Sequence, residues 1–112
     1  MNKIISQTEN GQIFRCPTCR LIHFEYKNLN FNFTNKEYQH FANYFLNLKG
    51  EYWEIKNGNA HFRRKILIPA GKNNFNILLN NEELIELKSL FLRGHKKSEI
   101  PLHLFNPNFS NN

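Results

Sequence analysis

Cys16 and Cys19 are the only two cysteines in the chain, and they frame a single turn, Cys16-Pro17-Thr18-Cys19. Two thiols at this spacing on a hairpin tip have the shape of a zinc knuckle, in which both thiolates converge on one metal. Structural zinc takes four ligands, so one knuckle supplies half a site, unless two chains share a four-thiolate centre. The remaining donors have to be histidines. His23 is nearest, but four extended residues would place it roughly 13 Å along a strand from Cys19. Metal bonds of about 2.0–2.3 Å leave little slack for that span. His61 is the better candidate, because the same pattern puts it near the tip of an equivalent hairpin. His40, His95 and His103 fall on a helix surface, a helix end and a tail. The competing reading is a plain reduced pair at a turn. A redox role is disfavoured: catalytic Cys-x-x-Cys pairs open a helix whose N-terminus lowers the thiol pKa. Here Arg20–Tyr26 alternates as a strand, although Arg15 and Arg20 would favour thiolate.

No other catalytic pattern stands out. All nine acids are Glu, and there is no Gly-rich phosphate loop, no Ser-centred elbow and no His-Glu-x-x-His. Glu82, Glu83 and Glu86 read as first-turn partners of a helix dipole and a solvated face. Fifteen Lys and Arg give a net charge of +6, which favours polyanion partners. A nucleic-acid binder would use Tyr52, Arg63 and Lys65 on a polar sheet face to stack on bases and meet phosphates. The same basicity follows from a chain rich in Asn, Lys, Ile and Phe, the residues of A/T-rich codons. The function that fits best is a small non-catalytic interaction or adaptor domain with a protein partner, with zinc as its one candidate cofactor. The alternative is nucleic-acid binding.

The elements that would position these residues can be read from turns and caps. Asn57-Gly58 suits a type I′ hairpin turn, and the implied register sets Trp53 against Phe62, Ile55 against Ala60 and Glu54 against His61. A turn at Lys27-Asn28 sets Tyr26 opposite Leu29, Phe24 opposite Phe31, Ile22 opposite Phe33 and His23 opposite Asn32. One face is then aromatic and the other polar, as a half-buried antiparallel sheet requires. Asn10-Gly11 marks a third turn. Thr34-Asn35-Lys36-Glu37 fits a capping box opening a helix with Tyr38, Phe41, Ala42, Phe45 and Leu48 inward, and Gly50 would stop it. Asn80-Asn81-Glu82-Glu83 repeats that grammar ahead of Leu84, Leu87 and Phe91. Thr34, Glu37, Phe41 and Phe45 match Asn80, Glu83, Leu87 and Phe91 at a constant offset. This suggests an internal βββα duplication with units 11–49 and 50–93.

The expected fold is therefore α+β: an antiparallel sheet of about six strands with two helices packed on one face. At 112 residues and 40% hydrophobic content the chain suits one domain, 1–97, with a loosely attached tail, 98–112. No apolar run approaches the ~20 residues needed to cross a bilayer, and no signal-peptide pattern opens the chain, so the expected compartment is the cytoplasm.

Taken in order, the Cys-x-x-Cys turn, the hairpin Leu21–Phe33, the capped helix Thr34–Leu48, the basic strand Arg63–Pro69 and the closing Leu78–Leu84 resemble a family of small uncharacterised bacterial proteins, a domain of unknown function. The resemblance spans roughly Ile13 to Leu92. It implies a single cytoplasmic domain and supplies no catalytic residue.

Overall fold

The computed structural model describes residues 3–71 and 74–94. The tail expected at 98–112, together with His95 and His103, lies outside them. The order is β1 (Lys3–Gln7), β2 (Gly11–Arg15), β3 (Ile22–Tyr26), β4 (Leu29–Phe33), α1 (Asn35–Leu46), α2 (Gly50–Lys56), β5 (Ile66–Pro69), β6 (Asn76–Leu79) and α3 (Asn81–Gly94). β1 to β4 form an antiparallel meander, while β5 and β6 pair as a separate two-stranded ribbon. The described residues are α+β with six strands, but these lie in two sheets and are accompanied by three helices.

The β3–β4 register matches the sequence reading at every pair, including Ile22 with Phe33, Phe24 with Phe31 and His23 with Asn32. Its turn needs Lys27 in the left-handed region, at φ 52°. Both capping boxes form as expected. Thr34 Oγ1 accepts the Glu37 N–H while Glu37 accepts the Thr34 N–H. Asn80 and Glu83 exchange the same two bonds at 2.8 and 2.9 Å.

The Asn57-Gly58 hairpin does not form. Residues 50–56 are helical, and Asn57 ends the helix, its N–H reaching the Trp53 carbonyl. Its side-chain amide then donates to the Lys65 carbonyl at 2.7 Å. Asn-Gly signals a helix end as well as a hairpin turn, and tertiary packing selects between them. Trp53 packs against the core while Ile55 is 83% exposed, so the alternation that suggested a strand is not a buried face. Gly50 is likewise not the stop of α1, which is capped at Asn47. It opens α2, and a Cβ there would run into the Asn81 side chain. Glycine thus lets α2 approach α3 closely, and Glu54 accepts the Asn81 N–H across that contact. Of the expected βββα duplication, an antiparallel strand pair followed by a capped helix recurs, as β3–β4–α1 and β5–β6–α3, while the helix α2 stands where the first strand of the second unit was expected.

Helices α1 and α3 cover the meander, with α3 across β1 and β2 and α1 beside β4. Phe91 is fully buried, and its ring meets those of Phe24, Tyr38, Phe41 and Phe45 at 5.1–6.4 Å between centroids. Two acids of α3 tie the periphery down, which corrects the reading of them as solvated. Glu86 receives Thr8 Oγ1 at 2.6 Å, the Asn10 N–H at 3.0 Å, Asn10 Nδ2 at 2.9 Å and Tyr26 OH at 3.2 Å, pinning the β1–β2 turn. Glu83 is 7% exposed and takes Lys27 Nζ and Arg64 Nε, each at 2.7 Å. It joins the β3–β4 turn and the segment before β5 to the α3 cap.

Candidate metal centre

Cys16 follows β2 directly, and Cys19 stands three residues before β3, so the turn between the two central strands carries both thiols. Pro17 and Thr18 form the tip. The Cys19 N–H points back to Cys16 Sγ at 3.1 Å and tightens the turn. Thr18 Oγ1 lies 3.6 Å from the same sulfur. The sulfurs of Cys16 and Cys19 are in contact at disulfide distance, with Cα atoms 5.9 Å apart.

The third donor is His23, the residue that extended geometry had set aside. Its Nε2 lies 3.1 Å from Cys19 Sγ. The chain between them is not extended: Arg20 sits in the left-handed region at φ 58° and folds the backbone sharply just after Cys19. The donor atoms of Cys16, Cys19 and His23 all lie within 4.8 Å of one another.

What orients the imidazole is Asn32, its cross-strand partner. Asn32 Nδ2 donates to Asn30 Oδ1 at 3.0 Å, with Asn32 Oδ1 toward the ring. Oδ1 then accepts from His23 Nδ1 at 2.6 Å. With the ring proton on Nδ1, the Nε2 lone pair faces the Cys19 sulfur, the arrangement found behind metal-bound histidines. Phe14 stacks on the ring at 4.9 Å and closes its other side. The set is half open to water, with Cys19 exposed and Cys16 and His23 partly covered.

The other candidates are placed elsewhere. His61 is exposed in the bend at 60–64 and is not one of the three converging donors. Tyr52 is on α2 rather than a strand, with Lys56 Nζ 5.7 Å from its ring centroid. Lys65 turns its ammonium onto the carbonyls of Ala60 and Phe62, at 2.7 and 2.8 Å. Arg63 is exposed, and the polar sheet face expected to unite the three does not exist. A separate groove of about 670 Å³ lies between α1, β4 and β5, walled by Phe31, Phe33, Phe41 and Tyr44. Its one carboxylate, Glu37, is held in the α1 capping box. Sequence reasoning had paired His23 with Asn32 across the hairpin, so the signal for the site was present. What it missed was the fold-back at Arg20.

Among the described residues, no helix is long and apolar enough to cross a membrane. No curated protein and no solved structure matches the chain. A family model does match, over residues 1–112, and by it the chain belongs to a family of unknown function, DUF6686.

Proposed function

We propose that this chain is a small zinc-binding interaction domain whose knuckle is built by Cys16, Cys19 and His23. The observation that carries the reading is the convergence of the Cys16, Cys19 and His23 donor atoms within 4.8 Å, with His23 Nδ1 held 2.6 Å from Asn32 Oδ1. Two sulfurs and one imidazole suit zinc better than the hard cations, which take oxygen ligands. Bound metal would lock the β2–β3 connection and make the exposed hairpin end a rigid surface for a protein partner. The role is non-catalytic: the nearby carboxylates are held, Glu25 by Gln12 Nε2 and Glu37 by its helix cap. A protein partner is favoured over nucleic acid, because Lys65 and Arg64 are engaged within the domain.

Full-length protein purified with a phosphine reductant is expected to carry about one zinc per chain, by elemental analysis beside solution mass. Cys16→Ser and His23→Ala should each lose it. No metal after zinc is supplied would sink the reading, and one zinc per dimer that survives His23→Ala would replace it with a shared four-thiolate site. Asn32→Ala should lower zinc affinity by about 10–100-fold in competition with a chelator, the usual effect of removing a residue that orients a ligating histidine. Unchanged affinity would detach Asn32 from the site.

A further inference from the structure

Three donors from one hairpin end leave a tetrahedral metal one ligand short. Among the described residues no other His, Cys or Glu joins Cys16, Cys19 and His23. The missing position is not blocked by packing, since Cys19, Pro17, Thr18 and Arg20 are all exposed around it. Sites with three protein ligands are those that keep a place for an exogenous group, whereas purely structural zinc sites are closed. Charge indicates what that group would be. Two thiolates and a neutral imidazole balance a divalent ion, so an anionic fourth ligand would leave one net negative charge. Arg15 ends β2 and Arg20 follows the turn, one at either side of the cysteine pair, and both are exposed. Arg15 donates to the Asn35 side-chain carbonyl, a neutral acceptor at 3.1 Å, and pairs with no carboxylate among the described residues. A centre already holding two sulfurs favours a further soft donor over carboxylate or water.

We infer that the fourth position is open and takes the thiolate of a small exogenous thiol. This rests on the metal reading above, and it makes the knuckle a thiol-binding centre rather than a closed clip. Binding is a simple ligation: the thiol gives up its proton to solvent and its sulfur takes the fourth position, with no electron transfer.

The test uses the full chain, kept reduced with a phosphine and loaded with one cobalt(II), then titrated with 2-mercaptoethanol. Each cobalt–thiolate bond contributes to the near-ultraviolet charge-transfer absorption, so passing from two sulfurs to three should raise it by about half. The rise should saturate at one thiol per cobalt, with the cobalt still on the protein after gel filtration. A four-coordinate cobalt spectrum that ignores added thiol would mean four protein donors and would overturn the open position while leaving the metal site intact. Cobalt stripped into free thiol complexes would overturn it too. No cobalt spectrum at all, before any thiol is added, would overturn the metal reading itself and this inference with it.

Discussion

Replacing Phe91 with alanine is expected to cost about 3–5 kcal/mol of folding stability, a large share of what a domain of this size possesses. The ring is fully buried and sits where α3 meets both α1 and the sheet, against Phe24 of β3 and Phe41 and Phe45 of α1. Its removal deletes contacts to two elements at once, β3 and α1. The cavity that remains cannot be refilled by rigid rings already packed on one another. The midpoint of thermal unfolding should fall by on the order of 15 °C or more. Ile55→Ala is the matched control: Ile55 is 83% exposed, so its loss should lie within about 0.5 kcal/mol. A Phe91→Ala loss below about 1 kcal/mol in urea titration would mean that the aromatic cluster does not organise the core.

The second large effect concerns acid. Burial alone would raise the Glu83 carboxyl, but hydrogen bonds from Arg64, Lys27 and the Asn80 N–H, with the Arg64 charge, reverse this and hold its pKa at about 2. A carboxyl whose pKa is lower folded than unfolded contributes stability above the unfolded value, and that contribution is lost as pH falls through the folded value. The window is therefore from about 4.5 down to about 2. Such a shift corresponds to roughly 3 kcal/mol, and water around the half-exposed Lys27 and Arg64 reduces the expectation to roughly 2 kcal/mol. Glu83→Gln should therefore be less stable than the parent by that amount at neutral pH. The gap should close as pH drops through the window, since the parent then carries a neutral group as well. Following the difference between the two proteins, rather than either alone, removes Glu86, which is also held below its usual range. A gap that stays constant with pH would assign the effect to lost packing or capping instead of charge.

The connection between α1 and α2 shows the same dependence on distant partners. Lys88 of α3 donates to the Leu48 carbonyl, and burial lowers its pKa. Nothing near Leu48 in sequence announces a lysine that arrives from the last helix.

What the sequence by itself determined about this protein is what short-range chemistry decides. The β3–β4 register follows from alternation across a turn at Lys27-Asn28, and both helix starts follow from side chains bonding to amides three residues away. The two cysteines at one turn were legible for the same reason. Only tertiary structure decided whether Asn57-Gly58 would end a helix or turn a hairpin, because both uses satisfy the local backbone. The decision came from Trp53 packing on the core and from Gly50 fitting against Asn81. That outcome separated β5 and β6 from the meander and removed the sheet face on which Tyr52, Arg63 and Lys65 were to act. The third residue of the candidate metal centre also waited on conformation, since one left-handed residue at Arg20 turns an extended span into a 3.1 Å contact between Cys19 and His23. Glu83 illustrates the limit most directly: as a first-turn acid it was readable, but its partner Lys27 lies in the β3–β4 turn, 56 positions earlier in the chain. Periodicity carries no information about such a pair, and only the closed fold brings the two charges together.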